Sequence, residues 1–319
     1  MKRISIILPV YNVEKYLEQC YQSLIQQDIP MKDIEIIFIN DESTDNSLKI
    51  LDRFQNQNSS VLVFTQRHAG LSAARNHGLA NATGKFIWFI DSDDTISQNC
   101  LKVLLEACEK NDLDALQVGP SLPYKRTPDF NLKDAFSDVF SGQDILVSKH
   151  FVVGAWSYIY KRDFLIQHSL KFVENIFFED TEFSPRAMFF CRRIQLLQHF
   201  SVYNYIQRSG SIMHSPFSEK KLSDLMRICI LSDHFYHQHI HDMSNTMIQF
   251  FEQMISQHIL STFQYSFKHK RNDSKKIIAW AKSANLWPIT YKHISRKTKL
   301  LLLSLQISPI LFYYYTQKK

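Results

Sequence analysis

The chain has 319 residues, 45% of them apolar and 21% charged, and a formal charge of +6 at pH 7. That is enough for a full hydrophobic core, in one large domain or two smaller ones, and no run of eighteen apolar residues occurs, which excludes an α-helical membrane span. The positive balance leaves an acidic substrate, nucleic acid or an anionic membrane surface open.

In chain order, Ile4 to Leu8 reads as a strand and Val13 to Gln26 as a helix, with Tyr16, Leu17, Cys20, Leu24 and Ile25 at helical spacing. Ile34 to Ile39 is a second strand, Ser43 to Phe54 a helix, Val61 to Thr65 a strand, Leu71 to Asn81 a helix and Phe86 to Ile90 a strand. Leu101 to Lys110 and Ala115 to Val118 complete the alternation. Continuously apolar strands separated by helices predict a parallel sheet covered on both faces. Residues 119 to 150, with "PSLPYKRTPDFNLKD", read as a loop or extended excursion over the rim. Gly154 to Tyr160 and Ile194 to Tyr205 are expected as strands flanking a helix near Thr181 to Cys191. Phe217 to His269 is helical, and two shorter basic helices follow.

Cys20, Cys100, Cys108, Cys191 and Cys229 form neither a CxxC pair nor a zinc spacing. The opening "MKRISIILPVYN" has too short an apolar run for a signal peptide, so they read as reduced cytosolic thiols. The histidines of "DHFYHQHIHDM" read as a polar helix face, with metal binding as the alternative.

Parallel sheets bind ligands at the carboxyl ends of their strands. This brings "PVYN", "NDESTDNS" and "DSDDT" to one rim despite their separation in sequence. Asp41 stands directly beyond the second strand, where Ser43 or Asp45 can cap the next helix. Arg75, in "RHAGLSAARNHGLANATGKF", is placed to meet a carboxylate or a phosphate, whereas the small residues around it suit close packing on the sheet. The carboxylates Asp91, Asp93 and Asp94 repel one another unless a cation shares the site. "DSDDT" reads as a hydrophilic turn, as a D-x-D metal clamp, or, by its match to D-x-D-x-T, as the nucleophile loop of haloacid-dehalogenase phosphatases with Asp91 attacking phosphorus.

Five segments in order, "SIILPVYNVEKYLEQCYQSLIQQ", "IIFINDESTDNS", "GLSAARNHGLANATGKFIWFIDSDD", "FFEDTEF" and "YNYIQRSGSIMHS", resemble an inverting glycosyltransferase of family 2. The resemblance implies an α/β GT-A fold over residues 1–215, followed by a helical region over 216–319. It implies that Pro9, Tyr11 and Asp41 line the nucleotide base pocket, with Asp91 facing a ribose and Arg75 near the donor phosphates. It further implies that Asp93 and Asp94 hold Mn2+ or Mg2+ on a diphosphate, and that Asp180, with Glu179 beside it, deprotonates the acceptor hydroxyl. "RSGSIMHS" resembles the segment that closes over the donor, with Arg208 and Ser211 toward the diphosphate and His214 toward the metal. The usual "DDGS" is here "NDES", which sets Glu42 where glycine is usual.

The expected partners are a nucleotide-sugar donor, UDP-linked by resemblance, and a glycan or lipid-linked glycan acceptor, with no nucleic acid. The expected location is the cytoplasm, or the inner face of the membrane. The tail "SRKTKLLLLSLQISPILFYYYTQKK" is basic, amphipathic and aromatic, which suits the interface of an anionic bilayer or packing back onto the domain. The alternatives are the phosphatase and a sugar-nucleotide binding module without turnover.

Overall fold

The computed structural model describes residues 2–119, 136–198, 201–206, 217–269, 273–289, 291–308 and 312. The chain divides into two compact units, one of Met1–Asn175 with Glu179–Ser211 and one of Ile176–Phe178 with Ile212–Lys319.

The first unit alternates strand and helix: β1 Ile4–Val10, α1 Leu17–Ile25, β2 Ile34–Asn40, α2 Ser47–Gln57, β3 Val61–Thr65, α3 Leu71–Asn81, β4 Phe86–Phe89, β5 Thr95–Ile96, α4 Leu101–Lys110 and β6 Ala115–Gln117. It continues through α5 Gly142–Leu146, β7 Tyr158–Lys161, α6 Arg162–Gln167, α7 Glu179–Phe190, β8 Ile194–Leu196 and β9 Tyr203–Asn204. Among the described residues, seven strands form one sheet in the order β3-β2-β1-β4-β7-β6-β8. Strands β1 to β4 are parallel, and β7 alone runs against its neighbours β4 and β6. Every residue of β1, β2 and β4 is buried, which is why their sequences are apolar on both faces apart from Ser5, Glu35 and Asn40. The predicted mostly parallel sheet with flanking helices is therefore the observed one.

Close packing of α3 on the sheet has a local cause. A Cβ at Gly78 would lie 2.3 Å from Cγ2 of Ile7, so only glycine lets this helix approach β1. Several boundaries differ from the sequence reading: α1 begins at Leu17 rather than Val13, and Ala155–Ser157 form a 3-10 turn before β7, which begins at Tyr158 rather than Gly154. Helix α2 begins at Ser47 rather than Ser43, because residues 43 to 46 form a turn held by Asn12 and Glu14, with Thr44 N–H donating to Asn12 Oδ1 at 2.8 Å. Within the expected 119–150 excursion, Ser141 and Asp144 form a capping box that starts α5, while residues 120–135 lie outside the described residues. The expected strand Ile194 to Tyr205 is two strands, and β9 leaves the large sheet to pair with β5.

The second unit is helical: α8 Glu219–His239, α9 Asn245–Lys268, α10 Ser274–Ser283 and α11 Arg296–Ile307. Its core is formed by side chains such as Met226, Cys229, Phe251, Ile255, Ile259 and Phe263. Ser218, Ser244 and Ser295 cap α8, α9 and α11 by accepting from the backbone N–H three residues on. The histidines of "DHFYHQHIHDM" lie on α8 and the short 3-10 turn after it, and no metal-binding cluster of His, Cys, Asp or Glu occurs among the described residues. All five cysteines are buried and unpaired.

Candidate active site

The carboxyl ends of β1, β2 and β4 are adjacent, with Val10 opposite Asn40 and Ile7 opposite Phe89. The three polar segments that follow are tied together at once: Asp41 N–H donates to the Val10 carbonyl at 2.8 Å and Ser92 Oγ donates to the Pro9 carbonyl at 2.6 Å. Pro9 is thus buried in β1 as part of the frame, whereas Tyr11 projects at the rim, 45% exposed, with its ring 4.3 Å from that of His68.

Asp41 is almost fully buried and organises the loop after β3. Its Oδ1 accepts from Gln66 Nε2 at 2.8 Å and from Ala69 N–H at 2.9 Å, and its Oδ2 accepts from Gly70 N–H at 2.8 Å and lies 3.0 Å from His68 Nδ1. The carboxylate expected to meet a nucleobase is therefore engaged by residues 66–70, and the exposed rings beside it are those of Tyr11 and His68. Next to it Glu42 has φ 61°, the left-handed region that explains why glycine suits this position, and its carboxylate accepts from His68 N–H at 3.1 Å.

Arg75 is 1% exposed and is the cation of the acidic rim. Its guanidinium donates to Asp91 at 2.9 Å, to Glu179 at 2.7 Å and to Asp180 at 3.2 Å, and stacks over Phe172 at 5.1 Å. Of the two ligands its sequence position suggested, a carboxylate and a phosphate, the guanidinium here meets carboxylates. This cation joins the end of β4 to the start of α7, two places 88 residues apart in sequence. The chain reaches α7 through Phe178 at φ 63°, an unfavourable conformation for an aromatic residue.

The acidic pair has two environments. Glu179 is 7% exposed and held by Arg75. The Asp180 side chain is about a quarter exposed. Desolvation raises its carboxyl to about 7 against the lowering effect of Arg75, with Glu179 and Asp91 adding repulsion and Ala155 N–H favouring the ionised form. A carboxylate that binds a proton near neutrality suits a general base.

Asp94 is 1% exposed and faces inward. Its oxygens accept from Tyr203 Oη at 2.6 Å and Ile206 N–H at 2.7 Å, which fastens β9 beneath the rim, and Tyr203 in turn stacks on Trp156 at 4.4 Å. Burial, with repulsion from Asp91 and Asp93, raises the Asp94 carboxyl to about 7. Asp94, expected beside Asp93 as a metal ligand, thus forms a strut to the segment that continues toward residue 207, leaving Asp93 as the half-buried carboxylate of the pair. With Asp91 paired to Arg75, Asp93 suits a hard cation completed by phosphate oxygens, because Mg2+-type ions take one or two carboxylates and leave the other positions to water and substrate phosphates. Such a cation would relieve the repulsion among the three aspartates. Arg208, Ser211 and His214 lie outside the described residues.

Gln66, His68, Phe172, Trp156 and Tyr203 belong to this region without having been expected there. Gln66 and His68 carried a signal, being polar and immediately beyond a strand on the same rim. Tyr203 lay in a segment already singled out, but only its pairing with β5 brings its hydroxyl to Asp94.

A family model described as "Glycosyl transferase family 2" matches residues 5–184. The uncharacterized glycosyltransferase EpsJ of Bacillus subtilis is 32% identical over 227 residues, which are 67% of this chain and 64% of that protein. The match spans just under two thirds of the length of EpsJ and of YibD of Escherichia coli. Among solved structures, residues 1–349 of Staphylococcus aureus TarS in complex with UDP-GlcNAc superpose with a TM-score of 0.75 at 22% identity, over 99% of this chain and 92% of that one. A mannosyltransferase from Pyrobaculum calidifontis in complex with GDP-Man and Mn2+ superposes with a TM-score of 0.51 at 13% identity, over 97% and 85% of the two chains. The fold is that of TarS, the GT-A arrangement followed by a helical region.

Proposed function

Because the chain belongs to glycosyl transferase family 2, we propose that it transfers one sugar from a nucleotide-sugar donor, a UDP-sugar, to a hydroxyl of a surface-glycan acceptor with inversion at the anomeric carbon. The observation that carries this reading is Asp180: a partly solvated carboxyl raised to about 7, held at the start of a helix and joined through Arg75 to Asp91 on the nucleotide side of the rim. The UDP-GlcNAc complex of the similarly folded TarS supports the choice of donor.

In this mechanism the nucleotide base lies against Tyr11 and His68, with Asp41 fixing the loop beneath it and Asp91 toward the ribose. Asp180 takes the proton from the acceptor hydroxyl as its oxygen attacks the anomeric carbon from the face opposite the diphosphate. The carbon–oxygen bond to the diphosphate breaks, and its electron pair departs with the nucleoside diphosphate. Arg75 holds Glu179 and Asp180 side by side and offsets the repulsion between them. Mn2+, for which the P. calidifontis complex is a precedent on this fold, or Mg2+ would be held by Asp93 with donor phosphate oxygens and would neutralise the leaving charge. Arg208, Ser211 and His214 remain proposed donor and metal contacts.

We assign donor binding and the base to residues 1–215, and acceptor handling to the helical residues 216–319 and the 120–160 region. The working location is the cytoplasm or the inner membrane face. The phosphatase reading is not favoured: the carboxylate it needs as nucleophile, Asp91, is ion-paired to Arg75, which lowers its nucleophilicity. The binding-module reading leaves the raised carboxyl of Asp180 without a role.

The test is a thermal-shift screen against UDP, GDP, CDP and dTDP sugars with and without Mn2+, followed by NMR of the product's anomeric centre. Stabilisation by a UDP-sugar and an inverted product are expected. A retained configuration would end the inverting assignment, and a phosphoenzyme on Asp91 would restore the phosphatase.

A further inference from the structure

The helical unit ends in a strong charge asymmetry. From Ser274 to Lys319 the chain has nine Lys and Arg and no Asp or Glu, whereas the preceding 273 residues have 28 Lys and Arg against 31 Asp and Glu. Nearly all of the positive character is therefore local to this end of the chain.

Helix α11, within that stretch, has apolar residues on two opposite sides. Leu302 and Leu305, with Thr298, are buried, and the helix packs on α9. On the other side Leu300, Leu303 and Ile307 are 67%, 52% and 75% exposed. Positions 300, 303 and 307 share one helical face, and Arg296 and Lys299 fall on the same stripe at its amino-terminal end. A helix meant only for packing would have polar residues there. Lys292, Arg296, Lys297 and Lys299 are all exposed, and none of them forms an ion pair among the described residues. No described helix is long and apolar enough to cross a membrane.

We propose that the outward stripe of α11 docks on an anionic lipid surface, lying in the plane of the interface. Leu300, Leu303 and Ile307 enter the acyl boundary, while Arg296, Lys297, Lys299 and Lys292 meet the headgroup phosphates. The charge decides for a lipid surface over a second copy of this chain: two copies would bring two like-charged patches together, whereas an anionic leaflet attracts each basic side chain near it. The acyl contact accounts for the three exposed aliphatic side chains, which charge alone leaves unexplained. This inference rests on the helical unit and not on the donor site, so it stands or falls separately from the proposed reaction.

The experiment uses the full chain and two sets of vesicles, phosphatidylcholine alone and phosphatidylcholine with phosphatidylglycerol, without any sugar donor. Flotation is expected with the anionic vesicles and not with the neutral ones, weakening as salt is raised. The triple variant Leu300→Gln, Leu303→Gln, Ile307→Gln should lose at least tenfold in vesicle affinity, and Lys297→Gln with Lys299→Gln should lose a salt-sensitive part. All five positions are exposed, so the circular dichroism melt should not change, and donor-induced thermal shifts should persist. Equal flotation of the triple variant and the native chain overturns the proposal. So does a native dimer, seen by light scattering, that the triple variant converts to monomer without any vesicle binding.

Discussion

Arg75 and Glu179 are 104 residues apart in sequence and 2.7 Å apart in the structure, and the same guanidinium reaches Asp91 and Asp180. A single buried cation thus pairs with the carboxylates of two separate motifs. Removing it leaves them uncompensated, and breaking a buried pair from one side costs about 3–5 kcal/mol. Arg75→Met should lower stability by that order, and Arg75→Lys should recover only part, since an ammonium cannot reach three carboxylates with a planar fork. Denaturant midpoints check this, and a native-like midpoint for Arg75→Met would show that the hub is dispensable.

Asp180 as base implies a pH dependence of defined sign. Raised to about 7, it is protonated and inactive below that value, so transfer should increase as pH rises through about 7 and then level off. Asp180→Asn should keep nucleotide-sugar affinity, lose transfer by a factor on the order of 100 to 10,000, and lose this rise. Glu179→Gln should cost less, because Glu179 acts through Arg75. Retained transfer in Asp180→Asn would move the role to Glu179.

The two adjacent aspartates should respond differently. Asp93→Asn is expected to weaken Mn2+-dependent donor binding in calorimetry with an unchanged melting temperature. Asp94→Ala deprives the Tyr203 hydroxyl and the Ile206 N–H of their acceptor, and should destabilise by about 1–3 kcal/mol. Equal melting temperatures for Asp94→Ala and the native chain would return Asp94 to the metal clamp.

Glu42 combines an unfavourable φ of 61° with an acceptor role toward His68 N–H. Glu42→Gly relieves the first and loses the second, so its stability should stay within about 1 kcal/mol of the native chain. Glu42→Ala keeps the strain and loses the hydrogen bond, and should be the less stable of the two. An alanine variant as stable as the glycine one would mean that residue 42 carries no strain.

His258, on α9, is lowered to about 4 by burial, and its Nδ1 has no hydrogen-bond partner among the described residues. Its unfolded value is near 6.5, so the folded chain binds the proton less well. The associated stability is complete above about 6.5 and is lost as pH falls toward 4. His258→Leu should flatten this acid loss in melts taken from pH 7 to pH 4.5, and an unchanged acid slope would assign it to other groups.

The sequence determined the alternation of strand and helix, the burial of β1, β2 and β4, and the meeting of three polar segments on one rim, because these depend on local periodicity and on the geometry of parallel sheets. It also singled out Asp41, Arg75, Asp91, Asp93, Asp94, Glu179 and Asp180 as chemically unusual. Their partners were decided by the tertiary structure. Whether Arg75 met a phosphate or a carboxylate depended on how α7 approaches the end of β4, which no local pattern encodes. Asp94 became a strut because β9 pairs with β5 and brings Tyr203 to it, and Asp41 is engaged because the loop at residues 66–70 folds over it. Adjacent aspartates look alike in sequence, and burial and hydrogen bonding, which arise only when distant segments pack, set one inward and leave the other at the rim.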